Sequence, residues 1–331
     1  MPSYSVYGIR LDSDVLLPEL TPYSGSEHEP QAVMRVRLQI ARLIEFDPDA
    51  VFLRHDNIDG QEWLICATTR GGYLLRFPGL ADFFVSEGGD EIECCGLCDA
   101  TSRDMLRHLL LDAVIPRVLD LRGLEAIHAT AVAIDGGACA FLGPTGAGKS
   151  TLATSLVRSG ALLLGDDCVV LCSAREIVLT PGYAGTRLWG DSLDALGIYP
   201  ARSETIGDDG WKRRVPDLRR NFATESLPLK QIYRLNRLTD NVADQTYAPR
   251  IERMSRAESL IELASASYRF NPTDRFANLR QFRFLEQVVA KVPIKKLVVP
   301  NDFAALPAVR EMVLADMSGH ERDSVGFLEV C

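Results

Sequence analysis

Ala138-Cys-Ala-Phe-Leu-Gly-Pro-Thr-Gly-Ala-Gly-Lys-Ser-Thr151 decides how this chain is read. From Gly143 to Ser150 it satisfies the Walker A spacing, a glycine, four free positions, then Gly-Lys-Ser. Residues 138–142 read as a short buried strand, and residues 152–158 as a helix stopped by Gly160. A strand, a glycine loop and a helix in that order turn several backbone N–H groups toward one point. The helix N-terminus adds partial positive charge there, so a phosphate chain can sit at that spot. Gly143, Pro144, Thr145, Gly146, Ala147, Gly148, Lys149, Ser150 and Thr151 are therefore the candidate nucleotide-binding residues. Lys149 would reach the terminal phosphates, and Ser150 would offer its hydroxyl oxygen to Mg²⁺ with Thr151 in support.

A second stretch, Leu162-Leu-Leu-Gly-Asp-Asp-Cys-Val-Val-Leu171, reads as strand, acidic pair, strand. Asp166 lies 17 residues beyond Lys149, a gap that one helix and one strand fill, so the pair can return beside the glycine loop. Two adjacent carboxylates near Mg-ATP have two jobs open to them. One binds or orients the metal, and the other accepts a proton from an attacking hydroxyl. His128 stands on the expected strand 127–134, just before the nucleotide strand. It is either a satisfied core histidine or a partner that tunes the acidic pair. Further on, residues 181–189 form a glycine-punctuated loop that ends in Arg187 and Trp189. Residues 201–215 are polar and read as a mobile loop, whose Lys212, Arg213 and Arg214 are either a solvated face or cations that close over a transferring phosphate.

The remaining chain sets bounds. Its 331 residues suit one large or two ordinary domains, and 47% hydrophobic with 24% charged residues is a globular profile. A net charge of −9 argues against a general nucleic-acid surface. No apolar run is long enough to span a membrane, and Met-Pro-Ser-Tyr-Ser-Val-Tyr-Gly shows no secretory pattern, so a cytoplasmic ATP user is expected. Of the eight cysteines, Cys94, Cys95 and Cys98 cluster without a second Cys-x-x-Cys or His partner, and read as buried small hydrophobes rather than half a zinc site. Strands are expected at 4–11, 33–44, 63–68, 72–77, 83–86 and 92–95, with turn residues between them, so the first hundred residues read as a β-rich lobe. Helical spacing takes over at 104–121, where the domain boundary is placed. Beyond the acidic pair, helices are expected at 191–196, 257–264, 275–289 and 304–314, and strands at 231–235 and 294–299.

His-Ala-Thr-Ala-Val (128–132), Gly-Pro-Thr-Gly-Ala-Gly-Lys-Ser-Thr (143–151) and Leu-Leu-Gly-Asp-Asp (163–167) together resemble the HPr kinase/phosphorylase catalytic domain. They are most similar to the HPr-kinase-related proteins of ribosomal-peptide biosynthesis, the lasso-peptide tail kinases among them. Tyr-Gly-Ile-Arg-Leu-Asp-Ser near the N-terminus and the Pro-Gly-Tyr…Arg-Leu-Trp segment extend the resemblance over most of the chain. It implies an α/β fold: a P-loop-containing, phosphoenolpyruvate-carboxykinase-like catalytic domain over residues 104–331, preceded by a smaller β-rich lobe over 1–103. It also implies Mg-ATP-dependent phosphorylation of a serine. By position, Asp166 would be the general base, Asp167 would stand near the metal with Ser150, and His128 would partner the pair. Lys149, Arg187, Lys212 and Arg213 complete the candidate catalytic set. The segment between the acidic pair and Arg187 departs from the family's phosphorylase signature, which argues against HPr as acceptor and against the reverse reaction.

The expected activity is transfer of the γ-phosphate of ATP to a serine of a peptide or protein, in particular the C-terminal serine of a lasso-type precursor. A homo-oligomer is expected, with no nucleic-acid or membrane partner. A small-molecule kinase acting on a free hydroxy amino acid, and a nucleotide-gated binding module with weak ATPase activity, stay open beside it. An ABC-type ATPase is disfavoured because no Leu-Ser-Gly-Gly segment occurs.

Overall fold

A computed structural model describes residues 1–24, 33–41, 45–58, 60–97, 102–199, 213–215, 218–238 and 248–325. The protein is mixed α/β with two large sheets. It divides into two compact units, Met1–Ala126 with Tyr268–Gln281, and Ile127–Ser267 with Phe282–Cys331.

The first unit holds β1 (Ser3–Val6), β2 (Ile9–Ser13), β3 (Thr21–Pro22), β4 (Val33–Ala41), β5 (Phe52–Ile58), β6 (Gln61–Thr69), β7 (Gly72–Phe77), β8 (Ala81–Ser86) and β9 (Glu91–Leu97). They form a nine-stranded sheet in the order β3-β1-β2-β4-β9-β8-β7-β6-β5. The single strand expected over 4–11 is a hairpin instead. Tyr7 (φ 53°) and Gly8 (φ 74°) both take left-handed backbone, the two-residue turn that matches strand twist. Leu11, Met34, Leu64, Leu75, Phe83 and Ile92 are fully buried on this sheet. Arg76 and Asp82 face each other across β7 and β8 and pair at 2.8 Å.

Residues 104–121, expected as one helix, form α1 (Arg103–His108), a π-helical turn (Leu109–Val114) and α2 (Ile115–Leu121). Ser102 caps them, its Oγ accepting from the Met105 N–H at 3.1 Å. Pro116 removes one helical donor at the junction, and Arg117 Nη1 donates to the Ala113 carbonyl at 2.7 Å. Arg107 reaches Glu19 at 2.8 Å and Arg122 donates to the Val33 carbonyl at 3.0 Å. These contacts draw the helical region to the first sheet, so the chain divides at 126/127, whereas the sequence placed the boundary at 103/104.

The second unit carries β11 (Thr130–Ile134), preceded by the short β10 (Glu125–Ile127), then β12 (Gly137–Leu142), α3 (Lys149–Val157), β13 (Leu162–Gly165), β14 (Val169–Ser173) and β15 (Ile177–Thr180). Next come β16 (Arg187–Leu188), α4 (Gly190–Leu196), β17 (Arg213–Arg214), β18 (Leu227–Arg237), β19 (Arg250–Arg253), α5 (Arg256–Ala266), α6 (Arg275–Lys291), which belongs to this unit from Phe282 on, β20 (Ile294–Val299) and α7 (Leu306–Val325). The sheet order runs β14-β15-β18-β12-β11-β13, with β20 on β18 and β19 on β20. Every residue of β12 is buried, as a strand covered on both faces requires. Cys139 and Phe141 pack on one face with Leu152, Leu156, Val309 and Val313 of α3 and α7. Ala138, Ala140 and Leu142 pack on the other with Leu263 of α5 and Leu285 and Val288 of α6. That alternation is the two-residue period of a strand between two helical layers. On α6 the expected apolar face is only half used, since Phe276 is 88% exposed while Leu285 is fully buried.

Cys94 and Cys95 are buried, and burial pushes the Cys95 thiol up to about 11. Cys98 lies outside the described residues, among which no group of three or more His, Cys, Asp or Glu is arranged to hold a metal. Among the described residues no helix is long and apolar enough to cross a membrane.

Burial raises the carboxyls of Asp120 and Glu125 above the ordinary range, and the Phe270 N–H donated to Asp120 at 2.7 Å offsets part of this. A carboxyl raised in the folded state stabilises the fold below its unfolded pKa, and that contribution is lost as pH climbs through the folded value. Asp120→Asn keeps an acceptor for Phe270. Its melting temperature should exceed the parent's at pH 8, by about 2–4 °C per kcal/mol of relieved desolvation. The gain should vanish below the unfolded Asp value of about 3.9. A gain that grew on acidification would contradict the assignment.

Candidate functional site

One edge of the second sheet collects the chemistry. β12, β18 and β20 run parallel, so their C-terminal ends share that edge. β11 and β13 are successively antiparallel, which brings the start of β11 and the end of β13 to the same edge. His128 and Thr130 lie at the start of β11, the glycine loop leaves β12, Asp166 and Asp167 leave β13, and Arg237 ends β18. In α/β sheets ligands bind outside the carboxyl ends of the strands.

The loop has the backbone its glycines allow. Gly143, Gly146 and Gly148 have φ of 144°, 82° and 96°. A Cβ on Gly143 would stand 3.2 Å from the Leu235 carbonyl oxygen. Gly148 is the N-cap of α3, and no side chain caps that helix. The first N–H groups of a helix have no partner within it, so this terminus presents donors. Arg237 Nη1 ties the loop down through the Gly146 carbonyl at 3.2 Å.

Lys149 is 5% exposed and folds back on its own loop, donating to the carbonyls of Gly143 at 2.7 Å and Pro144 at 3.2 Å. Its Nζ also lies 3.2 Å from His128 Nε2. His128 Nδ1 lies 2.9 Å from the Asp167 carbonyl oxygen. A carbonyl only accepts, so Nδ1 carries the proton and the Nε2 lone pair accepts from the ammonium. His128 thus meets the acidic pair through its backbone and holds Lys149 in reserve.

The two carboxylates occupy different environments. Asp166 is 3% exposed. Its Oδ1 accepts from Thr130 Oγ1 at 2.5 Å, from Ser150 Oγ at 2.9 Å and from the Asp167 N–H at 3.1 Å. Asp167 lines the open cavity and pairs with Arg187 at 3.7 Å. Its φ is 63°, in a three-residue turn closed by the Cys168 N–H on the Asp166 carbonyl at 2.8 Å. Such turns are rare and strained. Thr151 is engaged with Ser192 of α4 at 3.1 Å.

The cavity is about 280 Å³. His128, Lys149, Ser150, Asp167 and Arg187 line one part of it, and Leu235, Val299, Phe303 and Leu306 another. Of the residues expected from the sequence, His128, Lys149, Ser150, Asp167 and Arg187 line this one cavity. Asp166 lies beneath them. Arg213 and Arg214 form β17, opposite Leu188 and Arg187 respectively. Lys212, and with it most of the expected loop 201–215, lies outside the described residues. Thr130, Arg237 and Phe303 were not singled out. Thr130 had a signal: it follows His128 by two positions, and so shares its face of a strand.

An uncapped helix start, one lysine, one serine hydroxyl and a carboxylate pair are too few to cage a metal alone, and Mg²⁺ ordinarily takes one or two carboxylates together with phosphate oxygens.

No family model and no curated protein matches this sequence. Among solved structures, the HPr(Ser) kinase/phosphatase from Coxiella burnetii is similar at 13% identity and a TM-score of 0.31, over 62% of this chain and 99% of that one. That is a distant likeness, and it says nothing of the chemistry.

Thr130→Val keeps the shape and removes one donor from a buried carboxylate. It should cost about 1–3 kcal/mol in urea unfolding, and Thr130→Ser should restore most of that. Equal stability of Thr130→Val and the parent would show that Asp166 does not depend on this bond.

Proposed function

We propose that the protein is a Mg-ATP-dependent kinase that transfers the γ-phosphate to a serine hydroxyl of a peptide or protein. The observation that carries this reading is one cavity lined by the uncapped start of α3, Lys149, Asp167 and Arg187. Residues Gly143 to Thr151 would hold the phosphates, and Ser150, oriented by Asp166, would hold Mg²⁺. The bound metal would supply charge that offsets the phosphate oxygens. Lys149 would exchange the Gly143 and Pro144 carbonyls for phosphate oxygens, and Arg187 would meet the charge that gathers on the transferring group.

The sequence expectation gave the proton to Asp166 and the metal to Asp167. The environments support Asp167 as the base, with Asp166 acting on the metal only through Ser150. Asp167 faces the cavity, whereas Asp166 is buried against Thr130 and Ser150. In the proposed step the serine oxygen attacks the γ-phosphorus, its proton passes to Asp167, and the bond from that phosphorus to the β,γ-bridging oxygen breaks to release ADP. Asp166 acts as a positioning residue. A C-terminal serine of a lasso-type precursor is the first acceptor to try, because the motif resemblance points there.

The test is intact-mass analysis of serine peptides, some ending in serine, incubated with the full chain and Mg-ATP. One added phosphate is expected. Asp167→Asn should lower turnover by about 10²–10⁴-fold while ATP still binds, and Lys149→Ala should weaken ATP binding as well. Undiminished transfer by Asp167→Asn would refute the assignment of the base. ADP formation that no peptide alters would refute the peptide kinase in favour of a nucleotide-gated module.

A further inference from the structure

We propose that the apolar part of the cavity is a nucleobase subsite, walled by Trp189, Leu235, Val299, Phe303 and Leu306. This rests on the nucleotide reading above and assigns a place to the other end of the molecule.

The sheet order supplies the first reason. The glycine loop leaves β12. On one side of β12 lie β11 and β13, which carry Thr130 and the acidic pair, and on the other lie β18 and β20. Leu235 ends the buried run of β18 and Val299 ends β20, so the apolar wall and Asp167 flank the loop from opposite sides. At about 4.8 Å per strand, β13 and β20 are separated by up to about 19 Å, which leaves room for a sugar and a phosphate chain between them. A triphosphate held on the loop with its terminal phosphate toward Asp167 therefore points its nucleoside at β18 and β20. The acceptor must approach Asp167 and so enters from the other side.

The chemistry of the wall supplies the second reason. Leu235 and Val309 belong to the hydrophobic cluster under α3 and α7, with Val299 and Leu306 packed against it. Phe303 is half-buried and lines the same cavity, in a 3-10 turn fixed by Asp302, whose Oδ1 accepts from the Ala304 N–H at 2.9 Å. Trp189, 43% exposed, adds an indole to the lining. A mostly apolar pocket with aromatic side chains and a few polar atoms at its rim fits a flat heterocycle, and stacking on an aromatic side chain needs no particular base.

The experiment compares Mg-ATP with Mg-tripolyphosphate, which carries the phosphates without a nucleoside. Calorimetric titrations would use the full chain, Phe303→Ala and Trp189→Ala, with the melting temperature of each as a control for folding. The parent should bind ATP about tenfold or more tightly than tripolyphosphate, from stacking alone. Either variant should lower that ratio several-fold and leave tripolyphosphate affinity unchanged. If ATP and tripolyphosphate bind the parent alike, the subsite is refuted while the phosphate site stands. If the variants weaken both ligands equally, or weaken only an acceptor peptide, the subsite is likewise refuted. If neither ligand binds the parent, the nucleotide reading itself fails.

Discussion

A carboxylate brought to 3% exposure must be met by donors, and the second unit is arranged around meeting this one. Asp166 draws a hydroxyl from β11, a hydroxyl from the first turn of α3 and a backbone N–H from its own turn onto one oxygen. Hydrogen bonds to a charged acceptor are the strong ones. Losing any donor would leave charge uncompensated where water cannot reach it. The same three bonds fix the glycine loop, the histidine strand and the acidic turn relative to one another. Position and stability are thus secured by a single group that does not itself face the cavity.

Strand direction does the rest. Four strands that run one way (β12, β13, β18 and β20) and one that runs the other (β11) deliver unlike residues to one edge. What faces the cavity changes across that edge, from histidine, lysine and carboxylate beside β11 and β13 to leucine, valine and phenylalanine beside β18 and β20. Such a gradient suits a ligand that is charged at one end and flat and apolar at the other. Lys149 is held by two carbonyls and an imidazole, so in the proposed nucleotide complex engaging a phosphate would be an exchange of partners that exposes no unpaired ammonium.

The loop and its two flanking elements were legible because glycine, lysine and serine are needed there at fixed spacing and the strand before them is buried on both faces. Strand β20 was read to its ends, and α5 to within two residues. Tyr7-Gly8 was missed because Tyr7 is a poor marker of left-handed backbone, so a hairpin looked like one strand. β5 was missed because Arg54, His55, Asp56 and Asn57 carry no strand preference, and its long pairing with β6 overrides them. The exchange of environments between Asp166 and Asp167 could not be read from two identical neighbours. It follows from a turn in which Asp167 has φ 63°. The apolar wall was invisible for a different reason: Leu235, Val299 and Phe303 come from distant parts of the chain and meet only through strand order.

The most direct measurement is a crystal structure of the full chain with Mg²⁺ and a non-hydrolysable ATP analogue. The terminal phosphate is expected between Lys149 and Asp167, with the Lys149 contacts to Gly143 and Pro144 given up. An analogue bound away from the start of α3, or a loop left empty at saturating concentration, would contradict the proposed kinase.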